Sequence, residues 1–586
     1  MKFSATGFIL LCTLLGCTQL QKTNQFLTEK EAFDRSAVMR DIHYELAIEL
    51  DRVSSEFQGS TLITFEYTGN INAQTPPLRL DFEKGILLSL SLNTHELPLS
   101  PYQGNYLLLS PKWLKQGKNQ IRIDYRHPYS TNGEGLHRFV DPEDKEVYLF
   151  SDFEPFRAHL MFPCFDQPDL RATFQLQVRV PKDWMVITSN LPLQQKTIQN
   201  GMQWDFPPSA NFSTYLLSLI AGPYQSWSGR YHKIPLRVFA RKSLAKYVDA
   251  REWLKVTRQG LAHYEHYFKH PFPFNKYDQI IVPEFNEGAM ENVAAVVFSE
   301  KSVFRSPPNQ IERMNRAETI LHEMAHMWFG DLVTIKWWNG LWLNESFATY
   351  MSQLALVEST EFKDAFLNFY LDTKQWAYWE DQLVTTHPIE TPIANTDEAF
   401  AQFDGITYGK GAAAMKQLDY FLGDKVFQKG IQDYFRTHAW QNTTEEDFFK
   451  SMEKAAGYSL QSWVDQWPNQ AGLNGVEAKW ACAGKYLSSL ELIQSPPSSL
   501  RTHRTRIGLF DHKGELYKKI PLTYQGKETK LPQQELKSIP CPGPIPPKFP
   551  NHYYFFHHSR QGLGNPHRSF VENHFCQFPS GQGDCA

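Results

Sequence analysis

Residues 321–348 read LHEMAHMWFGDLVTIKWWNGLWLNESFA, and within them His322, Glu323, His326 and Glu345 stand at the spacing that a catalytic zinc site needs. Residues four apart on a helix share a face, so His322 and His326 can offer imidazole nitrogens to one ion while Glu323 points at its open side. Glu345 follows His326 after eighteen intervening residues, at the start of what reads as a second helix packed beside the first. Two histidines and one carboxylate leave a fourth position for water, the arrangement of a catalytic rather than a structural Zn2+, one ion per chain. A surface helix can carry the five-residue pattern by chance. Trp328, Phe329, Trp337 and Trp338, however, supply an apolar bed between the ligands that an exposed helix does not need.

Zinc lowers the pKa of a bound water to about 7, and Glu323 is placed to take the proton and later to return it to a leaving amine. The chemistry implied is metal-assisted hydrolysis.

Upstream lies Gly288-Ala289-Met290-Glu291-Asn292, and downstream Tyr408-Gly409-Lys410-Gly411. With these elements in this order the chain resembles the aminopeptidase N family of zinc exopeptidases, gluzincins that carry GAMEN, HExxH with a glutamate eighteen residues on, and a tyrosine in a Tyr-x-Lys-Gly setting. Phe162 to Asp169, FPCFDQPD, also looks like a segment of that family's amino-terminal domain, so the resemblance covers roughly residues 40–475. It implies a multidomain α+β fold: an amino-terminal β domain, a thermolysin-like mixed catalytic domain and a short carboxy-terminal β-sandwich. It also implies peptides with a free amino terminus as substrates. Tyr408 would donate its hydroxyl to the developing oxyanion, a contact typically worth roughly 3 kcal/mol. Glu291 would hold the substrate α-ammonium while the backbone of Gly288 and Ala289, continued by Met290 and Asn292, pairs with the peptide. Glu154 is the second acid expected at the ammonium. Asp152 stands where the family often has glutamine, and its role is open.

Glu287 directly precedes the glycine, near where similar enzymes line the pocket for the first side chain. There it would favour lysine or arginine; it could equally face solvent. Two other functions compete with the aminopeptidase: an epoxide hydrolase of the leukotriene hydrolase type, and an inactive, tethered peptide-binding protein. Binding alone needs neither Glu323 nor Tyr408, which weighs against the last.

At 586 residues the chain exceeds a single core and should divide into three or four domains. With 59 basic against 63 acidic residues it implies no nucleic-acid partner. Period-two patterning at Ile42, Tyr44, Leu46, Ile48 and Leu50 recurs at Thr61 to Tyr67, Ile121 to Tyr125 and Phe174 to Val180, so residues 38–228 read as the β domain. Helical patterning from Tyr247 to Phe268, Gly409 to Leu422 and Glu445 to Ala456 places the catalytic domain at 229–474. Strand-like segments then suit a small β-sandwich at 475–545, and residues 546–586 form an irregular tail without periodicity. Larger members of the family add a carboxy-terminal helical domain for which this length has no room. An unusually open site and a truncated product are both compatible with that.

Phe8 to Leu15 is too short an apolar run to span a bilayer and reads as a signal-peptide core. Leu14-Leu15-Gly16-Cys17 closes this signal peptide, residues 1–17, in the manner of a bacterial lipobox: Cys17 would be acylated and become the mature amino terminus, with 18–37 serving as a tether. The expectation is an exported, membrane-anchored lipoprotein of the cell envelope facing the periplasm; a cleaved secretory peptide without lipid is the alternative. Seven widely spaced cysteines define no disulfide framework.

Overall fold

The computed structural model describes residues 25–540, except 101, 497–498, 511–515 and 538, together with 555–556. The signal peptide, Cys17 and nearly all of the tail lie outside the described residues. Thr28 and Glu31 form a capping box that starts helix α1, Glu29–Val38. Leu27 and Ala32 are fully buried, and the Leu27 amide donates to Thr396 Oγ1 at 3.2 Å. The stretch expected to be a tether up to residue 37 is therefore, from Leu27 on, a docked part of the fold: an apolar anchor and a capped first turn hold it.

The amino-terminal domain carries an eight-stranded sheet. Its strand Met39–Glu49 lies between Ala172–Val180, parallel to it, and Glu56–Tyr67, antiparallel. Ile42, Tyr44, Leu46 and Ile48 all point inward, as their alternation requires. A four-stranded sheet beside it includes Val147–Asp152, whose end delivers Asp152 and Glu154 to the catalytic domain.

In the catalytic domain a five-stranded sheet has the order Gln225–Tyr231, Ile234–Ala240, Tyr277–Val282, Ala295–Ser299, Ala289–Met290. The first strand pairs along its whole length with Ile234–Ala240. The domain boundary consequently falls before Gln225 rather than at 228, because hydrogen bonding assigns that strand to the catalytic sheet. Around the sheet pack α2 (Ala250–Phe268), α3 (Gln310–His326) and α4 (Trp342–Ser359). Three short helices follow: α5 (Ala365–Leu371), α6 (Thr373–Glu380) and α7 (Thr396–Phe400). A π-helical turn, Ile406–Lys410, leads into α8, Gly411–Leu422. The Gly409 to Leu422 periodicity thus begins inside a π turn, a widening of the helix often found at functional sites.

One continuous hydrophobic core runs from Leu27 to Val464, so the first two domains are fused by burial. Arg171 reinforces the junction, its guanidinium donating to the Leu332 and Asp331 carbonyls at 3.1 and 2.9 Å. A separate core, built on Leu487, Leu490, Leu492, Ile507, Leu509 and Ile520, holds two three-stranded sheets together in the carboxy-terminal sandwich. The fold is the expected multidomain α+β arrangement. Cys164 is a buried free thiol and Cys482 is disulfide-bonded. Among the described residues no helix is long and apolar enough to cross a membrane.

Candidate metal centre and active site

Asn309 and Glu312 cap α3 at its start, and its last turn carries His322, Glu323 and His326. The side of the first turn of α4 that faces them carries Glu345. Nε2 of His322 and Nε2 of His326 are 3.0 Å apart, and Glu345 Oε2 is 3.1 Å from the first and 3.5 Å from the second. All three ligand atoms fall within 4.8 Å of one another.

His326 Nδ1 lies 2.5 Å from Asn344 Oδ1 and 3.1 Å from the Phe329 carbonyl. Both are acceptors, so Nδ1 carries the proton and the Nε2 lone pair faces the centre. Burial would raise the Glu345 pKa, but the His326 and His322 imidazoles outweigh it and hold the carboxyl down at about 2. Two imidazoles with converging lone pairs and an ionised carboxylate are a donor set that fits Zn2+, with room for further oxygen ligands. Trp328, Phe329, Trp337 and Trp338 are buried around it, as their positions between the ligands predict.

Glu323 is 5% exposed; burial, with Glu291, Glu345 and Glu318 nearby, pushes its pKa well above the ordinary carboxyl value although His326 opposes this. That makes it a stronger base than an ordinary carboxylate. Tyr408 sits on the π turn with its ring 6.1 Å from that of His322 and 17° from parallel. Burial and the Glu345, Glu154 and Glu291 carboxylates keep its phenol protonated, hence a donor. Glycines bring it in. A Cβ on Gly409 would meet the Thr373 carbonyl oxygen of α6 at 2.5 Å, and one on Gly411 would meet Ser346 Oγ of α4 at 1.9 Å.

Carboxylates from three segments converge beside the metal donors: oxygens of Glu154, Glu291 and Glu345 lie within 4.8 Å of one another. Oε1 of Glu154 is buried with no hydrogen-bond partner among the described residues, and burial together with Glu291 and Glu345 drives its pKa well up. Such a cluster attracts a cation. Ala289–Met290 is the outer strand of its sheet, antiparallel to Val297–Phe298, and among the described residues its other backbone edge is unpaired. A cleft of about 630 Å³ is lined by Glu287, Gly288, Ala289, Met290 and Glu291 on one side and by His322, Glu323 and Tyr408 on another. Asn292 is not on its wall: it is fully buried, its amide 3.5 Å from the Leu217 carbonyl. Of the five-residue segment expected to touch substrate, Gly288 to Glu291 stand on the cleft wall, and Asn292 does not because the strand turns inward there. Glu287 is exposed at the cleft. Asp152, buried nearby, is raised to about 7 by burial and by Glu287 and Glu134, with Arg157 opposing.

The peptidase family M1 domain matches residues 253–467, and the peptidase M1 N-terminal domain matches 40–216. This chain belongs to peptidase family M1. Among M1 relatives, an aminopeptidase N of Streptomyces lividans is 37% identical over 537 residues, 88% of this chain and 62% of that protein. A leucyl aminopeptidase of Saccharolobus solfataricus is 33% identical over 65% of this chain and 47% of its own length. A probable aminopeptidase 1 of Sulfurisphaera tokodaii is 32% identical over 67% and 50% respectively. The chain spans about half to less than two thirds of the length of these relatives.

Two features of this site escaped the sequence. Asn344 bridges the candidate ligand His326 and Glu291, donating to Glu291 Oε1 at 2.8 Å; its place beside Glu345 was the available signal. Asp372, Thr373, Trp376, Phe400 and Phe403 line the cleft from α6, α7 and the turns beside them, a region with no motif to announce it.

Proposed function

We propose that this chain is a zinc-dependent aminopeptidase that hydrolyses the first peptide bond of substrates with a free amino terminus. The observation that carries the reading is the unpaired carboxylate Glu154, clustered with Glu291 beside the His322–His326–Glu345 donor set. A protease working within chains has no use for buried acids at that point; a substrate α-ammonium neutralises them and stops the peptide from running further.

When bound, the metal supplies Lewis acidity and a water of lowered pKa. Glu323 accepts a proton from the attacking water and delivers it to the leaving amine. The Tyr408 hydroxyl donates to the carbonyl oxygen as negative charge develops on it. The open edge of Ala289–Met290 pairs with the substrate backbone as an added strand. Glu287, with Asp152 behind it, favours lysine or arginine as the first residue. The amino terminus is proposed to carry the chain to the cell envelope and to anchor it there through lipid on Cys17, which metabolic labelling with radioactive palmitate reads directly.

The test is cleavage of alanyl, leucyl and arginyl amide reporters and of their N-acetylated forms, before and after chelation and zinc return. Chelator-sensitive cleavage that requires the free amine supports the reading. Turnover of lipid epoxides without turnover of any reporter would move it to the epoxide hydrolase, and zinc-loaded folded protein with neither activity to a binding role.

A further inference from the structure

Lys410 brings a charge into the interior two residues after Tyr408, and the proposed reaction does not use it. Its side chain is 10% exposed, and its Nζ lies 3.0 Å from Oδ1 of Asp381, whose side chain is fully buried. Desolvating two charges is costly unless further hydrogen bonds offset it; here they gather on one oxygen of Asp381, while its Oδ2 is buried with no hydrogen-bond partner among the described residues. Asp381 Oδ1 also accepts from the Gly472 amide at 3.1 Å and from Thr386 Oγ1 at 2.7 Å. Lys410 Nζ donates to the Gln470 carbonyl at 3.2 Å, and Arg501 of the carboxy-terminal region donates to the same oxygen at 2.8 Å.

Asp381 follows the last turn of α6, the helix packed against the π turn. Gly409 meets α6 at Thr373 and Ala377, and the Trp376 ring lies 6.0 Å from that of Tyr408. The ion pair therefore closes a loop: π turn to α6, α6 to residues 470–472, and those residues to the sandwich through Arg501.

We propose that the Lys410–Asp381 pair is a positioning latch that holds the Tyr408 turn against α6 and makes the aim of the Tyr408 hydroxyl depend on docking of the carboxy-terminal sandwich. Lys410 is a positioning residue, acting only through Tyr408. The inference rests on the role proposed for Tyr408 in peptide hydrolysis.

The experiment compares Lys410→Met, Asp381→Asn, Tyr408→Phe and the double variant Lys410→Met/Tyr408→Phe in the full chain. It follows kcat and KM on an aminoacyl amide reporter, with zinc content and thermal midpoint measured alongside. Misplacing a reacting group by about 1 Å costs on the order of 100-fold, so Lys410→Met should lower kcat by roughly 10- to 100-fold with KM and zinc content little changed. In the Tyr408→Phe background the same substitution should lower kcat no further, and Lys410→Arg should restore part of the loss. Losses that multiply in the double variant, or a Lys410→Met enzyme with unaltered kcat, overturn the latch. If Lys410→Met does not fold, the near-isosteric Asp381→Asn, alone and with Tyr408→Phe, decides by the same comparison. An undiminished kcat in Tyr408→Phe instead overturns the role of Tyr408, and the latch falls with it.

Discussion

Asn344 and His326 are joined by a 2.5 Å contact between the amide oxygen and Nδ1, while the other end of the same amide donates to Glu291 at 2.8 Å. One side chain thus orients together a proposed metal ligand and the carboxylate proposed to bind the substrate ammonium. Asn344→Ala should weaken zinc binding about 10- to 100-fold, as loss of a ligand's hydrogen-bond partner does, and raise KM as well. Titration against a chromophoric chelator measures the first and steady-state kinetics the second; unchanged zinc affinity would refute the orienting role.

Glu323→Gln keeps the shape of the side chain and removes the base. It should lower kcat by about 10²–10⁴-fold while zinc, counted by atomic absorption, stays at one per chain. Loss of the metal along with activity would point to a ligand or folding role instead.

Glu154→Gln should raise KM for leucyl amides with a smaller effect on kcat, because the interaction removed is with the substrate ammonium in ground state and transition state alike. N-acetylated reporters should remain poor substrates of both enzymes. Equal KM values in variant and parent would exclude Glu154 from ammonium binding.

Gly411→Ala forces a Cβ to within 1.9 Å of Ser346 Oγ. Overpacking of this kind costs about 1–3 kcal/mol. Ser346→Gly in the same chain should recover most of it, whereas no side-chain deletion should rescue Gly409→Ala, whose Cβ meets the backbone oxygen of Thr373. Denaturant midpoints of the two single variants and the double variant test this.

His159 is buried with Nδ1 2.8 Å from Asp166 Oδ2 and Nε2 3.8 Å from Glu83 Oε2. Burial alone would lower its pKa, but hydrogen bonding to Asp166 and Glu83, with the charges of Asp166 and Asp81, outweighs it and raises the imidazole to about 9. Its charged form is favoured in the folded state, so its contribution to stability is complete below the ordinary value of 6.5 and is lost as pH rises through about 9. Unfolding midpoints followed from pH 6 to about 9.5 should decline for the parent protein and decline less for His159→Gln. Parallel profiles would exclude His159 as the group responsible.

Much of the fold was legible because its signals are local. The inward alternation of Ile42, Tyr44, Leu46 and Ile48 is what a one-sided strand imposes, and Glu445–Ala456 forms the helix its periodicity describes. Where the reading slipped, pairing between distant segments decided. Gln225–Tyr231 is a strand in either domain, and only its ladder to Ile234–Ala240 assigns it. Residues 29–38 look like a polar leader until Leu27 finds its seat beside Thr396.

The sequence by itself determined the candidate metal donor set: two histidines one turn apart converge by helix geometry wherever the helix lies, and the glutamate proposed to complete them opens the next long helix. It likewise singled out Tyr408, through the family resemblance that the Tyr408-Gly409-Lys410-Gly411 setting carries. Only the tertiary structure decided that Glu154, from the amino-terminal domain, faces Glu291 and Glu345, that Asn292 turns away from the cleft, and that Lys410 pairs with Asp381. Those relationships join residues far apart in the chain, and no local periodicity encodes which buried charges meet once separate elements close on a common core.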